Sequence, residues 1–126
     1  MTNYYSGIVK PSTVTIASGA SLSDAIDLSG KEVVLSGLRL LAIEMPAAWT
    51  AADLTFQASM DGGTTYTNMY NADGDEITVT AAASRFIVLD PATFCAVTNI
   101  KIRSGTSASA VNQVDAVTLT LVLRAV

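Results

Sequence analysis

The chain has 126 residues, and half of it is hydrophobic: enough for one domain with a substantial core, too little for two. Only 14 % of residues are charged, against roughly 25 % in an average soluble domain, and with ample hydrophobicity this argues against an intrinsically disordered chain. Seven basic residues face eleven acidic ones, for a net charge of −4. The basic residues, Lys10, Lys31, Arg39, Arg85, Lys101, Arg103 and Arg124, are scattered singly. No basic stripe exists to neutralise phosphates, and no nucleic-acid partner is expected.

The chain contains no histidine, and Cys95 is its one cysteine. An intrachain disulfide, a Cys/His zinc site and a Ser-His or Cys-His nucleophile pair are thereby excluded. Between Phe94 and Ala96, Cys95 is expected to be a small buried hydrophobe. No apolar stretch reaches the roughly 18–20 residues of a membrane span. The opening residues, MTNYYSGIVK, lack a basic segment followed by an apolar one. No signal peptide is expected, and the product is expected to be soluble and made in a cytoplasm.

Residues 1–11 form a distinct segment with large apolar side chains at Tyr4, Tyr5, Ile8 and Val9, and Pro11 divides them from the first clean alternation. Three readings stand for it: an arm folded on its own domain, an arm packed on a neighbouring subunit, or disorder. Residues 12–126 then read as a single domain. Val14 and Ile16 alternate with Thr13 and Thr15, the period of a half-buried strand. Residues 32–44 (EVVLSGLRLLAIE) are nearly continuous apolar sequence, broken at Ser36-Gly37, where a bulge or kink is expected between two inner-strand segments.

A helical turn is expected at residues 46–53 (PAAWTAAD), with proline at its start. Leu54, Phe56 and Ala58 then alternate with Thr55, Gln57 and Ser59, and Asp61-Gly62-Gly63 marks a hairpin loop. Asn71-Ala72-Asp73-Gly74 marks another, between residues 66–70 and the alternation of Ile77 and Val79 with Thr78 and Thr80. The run RFIVL at 85–89 reads as an inner strand, and residues 91–97 as a second helical turn. Ile100 and Ile102 alternate with Lys101 and Arg103, and 104–112 (SGTSASAVN) reads as a flexible loop. In 115–124, Val117, Leu119, Leu121 and Leu123 share one face. About eight short strands at such spacing predict an all-β, antiparallel sandwich or barrel.

Chemistry-bearing patterns are sparse. The densest acidic group, Asn71 to Glu76, has oxygen ligands at alternate positions but runs into a Thr/Val strand pattern where a calcium loop needs its terminal glutamate. A solvated hairpin turn is expected there. No GxSxG motif, phosphate-cradling loop or dinucleotide fingerprint is present. A pair of carboxylates distant in sequence stays open, yet few aromatic residues accompany it to hold a sugar ring. The chain is not expected to be an enzyme, and no catalytic, cofactor-binding or metal-binding residue is singled out. Trp49, flanked by small residues, reads as a plug closing one end of the sandwich or as a platform for a sugar or partner. Arg39 and Arg85, set in apolar runs, are expected to snorkel or to pair with carboxylates at a subunit contact.

Several segments together resemble a group of small proteins of tailed bacteriophages: 21–28 (SLSDAIDL), 38–53 (LRLLAIEMPAAWTAAD), 54–62 (LTFQASMDG), 85–94 (RFIVLDPATF) and 99–106 (NIKIRSGT). The resemblance is to capsid decoration, or cement, proteins and spans residues 12–126. It implies a jelly-roll sandwich, with an immunoglobulin-like sandwich as the alternative. It also implies a non-enzymatic virion protein on the capsid exterior, made in the host bacterial cytoplasm. Its partners would be the major capsid protein and further copies of itself, commonly as a homotrimer near three-fold positions. Tyr4, Tyr5, Ile8 and Val9 are the candidate capsid or subunit contacts. Two other functions are weighed: a carbohydrate-binding module of a head fibre or tail, and a subunit of a bacterial surface array. No cofactor, nucleic acid or membrane enters any of these readings.

Overall fold

The structure is a computed structural model that describes residues 10–29 and 37–124. Among the described residues eight strands, numbered β1 to β8 in chain order with the ranges that follow, fold into two antiparallel four-stranded sheets, ordered β1-β8-β3-β6 and β2-β7-β4-β5. The strands are β1 (Lys10–Ile16), β2 (Ile26–Asp27), β3 (Arg39–Glu44), β4 (Leu54–Ser59), β5 (Thr67–Asn68), β6 (Phe86–Val88), β7 (Asn99–Ser104) and β8 (Val117–Arg124). A 3-10 helix, Pro91–Phe94, joins β6 to β7. No helix of the described residues is long and apolar enough to cross a membrane.

Period-two alternation produces this architecture directly. On β8 the burial follows the sequence: Val117, Leu119, Leu121 and Leu123 are buried while Thr118 is exposed. β1 lies antiparallel beside it, with Val14 opposite Leu119 and Ile16 opposite Val117. On its other side β3 contributes Leu40 and Ile43, and the register slips between Leu40 and Ala42 at a bulge. From the second sheet, Ile26, Leu54, Phe56, Ile100 and Ile102 close the core. Phe56 meets Phe94 edge-on at 5.3 Å between ring centroids. The strands pair in a nested order: β1 with β8, β2 with β7, β3 with β6 and β4 with β5.

Local turn chemistry also matches the sequence. The β4–β5 hairpin turns through Gly62 and Gly63 at φ +76° and +95°, where residues with a Cβ are strained. At 91–94, Asp90 caps the 3-10 helix by accepting the Ala92 N–H at 3.0 Å, and Pro91 occupies its first turn.

Several expectations are corrected. The run 85–89 is an edge strand, not an inner one: among the described residues β6 pairs only with β3, and Phe86 and Val88 project outward. Only Ile87 and Leu89 pack against the core. Cys95 is exposed, because it caps the 3-10 helix's C-terminal end while Phe94 turns inward. No helical turn forms at 46–53; Thr50 instead bonds through both its N–H (2.8 Å) and its C=O (2.9 Å) to the buried Gln113 side chain. Residues 75–80 form no continuous strand but two isolated bridges, Tyr70 to Glu76 and Leu54 to Val79. β5 leaves β4 after Met69 N bonds Phe56 O, and Val79 takes over the partnership at Leu54.

The stretch 104–112 is a tight turn, not a flexible loop. Gly105 bridges to Ala110 at φ +89°, and a Cβ there would lie 2.6 Å from Ser109 O. β1 begins at Lys10, so its ladder takes in the last two residues of the segment expected as an arm. The candidate contacts Tyr4, Tyr5, Ile8 and Val9, and the Ser36 half of the expected bulge, lie outside the described residues.

Candidate interaction surfaces

Each sheet has one face in the core, so the other two faces are what the protein presents, and they differ in chemistry. On the β1-β8-β3-β6 sheet, cross-strand rows run Thr13, Thr120, Glu44, Phe86 and then Val122, Ala42, Val88. Glu44 is the only charge in those rows. The rows end on the unprotected β6, where Phe86 is 60 % and Val88 76 % exposed. Arg39 and Arg124 stand opposite one another at the end of this face. Arg39 contacts the Cys95 Sγ through Nε at 3.2 Å and Leu38 O through Nη1 at 3.3 Å.

The outer face of the β2-β7-β4-β5 sheet is polar, with Asn99 opposite Ser59, Lys101 opposite Gln57 and Arg103 opposite Thr55. Its cations are engaged internally. Lys101 Nζ sits 4.5 Å from the Tyr66 ring centroid. Arg103 is nearly buried: its Nη1 meets Glu76 Oε2 at 3.2 Å and Thr55 Oγ1 at 3.3 Å, and its Nη2 meets Asn68 Oδ1 at 2.6 Å. Glu76 in turn accepts the Ser107 N–H at 3.1 Å. The expected solvated turn at 73–76 is thus half right in its chemistry. Asn71 Oδ1 organises the turn by accepting the Asp73 and Asp75 N–H groups, and both of those aspartates are exposed, but Glu76 folds inward onto Arg103. Among the described residues, no group of three or more His, Cys, Asp or Glu side chains is placed to hold a metal ion.

Sequence reasoning passes over the Arg103–Glu76 pair. The two residues are 27 positions apart, and only the folding of the 69–80 segment over the sheet brings them together. The one local signal is the β7 alternation, which already puts Arg103 on the outer face.

Concave surface lies at several places on the molecule, one of them a hollow of about 300 Å³ between residues 77–80 and 87–90. A groove of about 480 Å³ runs beside β5, with Met69, Tyr70 and Val97 among its apolar walls and Asp61 and Asn68 among its polar ones. Trp49 borders a smaller hollow of about 230 Å³ with Gln113 and Asp115. Its ring packs against the core, and its indole N–H donates to Ala52 O at 3.2 Å. Trp49 therefore closes the sandwich end instead of standing as a free platform.

Asp61 holds the loop beside the groove. Its Oδ1 accepts from Ser59 Oγ (2.6 Å), Thr65 N (3.0 Å) and Thr64 N (3.1 Å). The Ser59 hydroxyl first, and then the Thr65 N–H, hold its carboxyl at about 2, below the ordinary 3.8. Because the folded value is depressed, the ordering that Asp61 provides is complete above pH 3.8 and is lost as the pH falls through about 2. The Thr64 and Thr65 amide resonances should titrate with a midpoint near 2, and Asp61→Asn should abolish that titration. A midpoint near 4 would show that the carboxylate does not hold the loop.

Searches against protein-family models, curated proteins and solved structures found no match.

Proposed function

We propose that the chain is a structural virion protein, a decoration protein that binds the outside of a phage head and clamps neighbouring major capsid subunits. The observation that carries this reading is the outer face of the β1-β8-β3-β6 sheet, whose cross-strand rows of threonine, valine and phenylalanine hold Glu44 as their one charge, with Arg39 and Arg124 at one end, and finish on an unprotected edge. A protein lacking this much surface charge is suited to being covered by neighbours, and many weak contacts on a repeating shell add to strong attachment. The work is non-catalytic, and its partners are the shell and other copies of the chain.

The nested strand pairing supports a jelly roll within this reading. That pairing is what a two-stranded ribbon gives when wound into two sheets. An immunoglobulin-like order joins more strands to their sequence neighbours, whereas here β4 and β5 are the only consecutive strands that pair among the described residues.

Carbohydrate recognition is the competing function, and it is the weaker reading because Trp49 is half-buried, with its ring packed against the core and its N–H bonded to Ala52 O, and borders only a small hollow. Co-sedimentation with mature, decoration-free heads of the parent phage tests the proposal. Saturable binding at a fixed number of copies per head is the expected result. No binding at high protein concentration overturns it and transfers the function to glycan recognition in the groove beside β5.

A further inference from the structure

The two edges of the β1-β8-β3-β6 sheet are finished differently. On β1 the odd-numbered residues turn their backbone groups away from β8. Of these, Thr15 O already accepts the Asp24 N–H at 3.2 Å, and Pro11 has no N–H to offer. That edge is closed to a further strand near both ends. On β6 the arrangement is the reverse. Arg85 O and Leu89 N bond back to Met45 N and Leu41 O, each at 2.7 Å, and Ile87 lies opposite Ile43. By the alternation of an antiparallel ladder, the N–H and C=O groups of Phe86 and Val88 face the open side. No described residue meets them. Proteins commonly guard such an edge with proline or an added charge, and residues 86–88 carry neither.

We propose that β6 pairs antiparallel with β6 of a second copy of this chain, about a two-fold axis through Ile87. In that register Phe86 of one copy exchanges backbone hydrogen bonds with Val88 of the other. Ile87 meets its own counterpart, and Phe86 and Val88 of both copies form one continuous apolar strip on the joined outer face.

Charge favours a second copy as the occupant. Arg85 lies at one end of the strand, and its guanidinium has no partner among the described residues. Asp90, exposed, lies just past the other end. Antiparallel pairing in this register sets each Arg85 opposite Leu89 of the second copy and one residue from its Asp90, so that ends of opposite charge come together, whereas parallel pairing sets like charges together. The edge is short and buries far less than the roughly 1,200–2,000 Å² of a stable complex, so the contact is reversible in solution. It concerns copies of this chain alone, and it differs from the three-fold clustering that the resemblance implies.

Sedimentation velocity of the purified protein from micromolar to millimolar concentration tests the pairing independently of any capsid. The expected result is a shift from monomer to dimer with concentration. Val88→Lys places a charged guard on an exposed edge position, so it should keep the native circular dichroism and lose the dimer. Ile87→Cys in a Cys95→Ser background should form a disulfide-linked dimer on oxidation, since this register sets residue 87 opposite itself. A monomer at every concentration, a trimer, or a dimer indifferent to Val88→Lys overturns the proposal. A dimer that Val88→Lys abolishes but Ile87→Cys fails to lock overturns the two-fold register.

Discussion

Phe56→Ala should lower the unfolding free energy by about 3–5 kcal/mol, a large part of the roughly 5–15 kcal/mol that holds a domain of this size together. Phe56 is fully buried at the middle of β4, with β7 on one side and the β5 segment on the other. Its ring stands edge-on to Phe94, which the Asp90-capped 3-10 helix carries into the core. Truncation removes the transfer free energy of the ring and leaves a cavity bounded by two sheets that are tied by ladders and cannot collapse freely. The melting temperature should fall by on the order of 10–20 °C. Phe56→Leu should cost much less, about 1–2 kcal/mol, because it keeps most of the volume. Chemical denaturation of the two variants measures both. A cost below about 1 kcal/mol for the alanine variant would mean that the ring is not the centre of the core.

The elements legible in the sequence are those whose environment is decided locally. β8 lies between β1 and β3 with one face on the core, so its alternation of aliphatic residues with threonine maps directly onto buried and exposed positions. The glycines of the 61–63 loop announce a turn because their backbone conformation demands it. β6 reads wrongly as an inner strand because a short apolar run looks the same on an edge as in the middle of a sheet. What separates the two cases is a neighbouring strand, and RFIVL contains no record of which strands flank it. Cys95 reads wrongly as buried for a related reason: the 3-10 helix turns Phe94 inward and the next residue outward, at a boundary too short to have a period. The same limit applies to the surfaces. The polarity of each outer face follows from strand parity, but that one edge is capped and the other open depends on the chain after β1 turning back so that the Asp24 N–H meets Thr15 O.

Arg103→Ala should be the most damaging substitution on the outer surface, costing about 3 kcal/mol or more. Arg103 ties together the side chains of three segments: Thr55 on β4, Asn68 on β5, and Glu76, which holds the 104–110 turn through Ser107. With side-chain exposures of 8 % and 13 %, Arg103 and Glu76 have surrendered most of their hydration, so their mutual attraction does little more than offset that cost. Deleting the arginine alone leaves the largely buried Glu76 carboxylate with no cation and takes the guanidinium donors from Thr55 and Asn68, and the penalty is large for that reason. Glu76→Gln should cost less, because the amide can still accept the Ser107 N–H and contact the guanidinium. In the double variant the alanine no longer faces a buried charge, so its cost should fall below the sum of the single effects by about 1–2 kcal/mol. A double-mutant cycle by denaturant unfolding, with amide exchange at Ser107 as a local readout, separates the alternatives. Strict additivity would mean that Arg103 acts by packing alone. A sub-additive cycle with Ser107 protection lost in Arg103→Ala would identify the pair as the clasp holding the 69–80 hairpin and the 104–110 turn against the sheet.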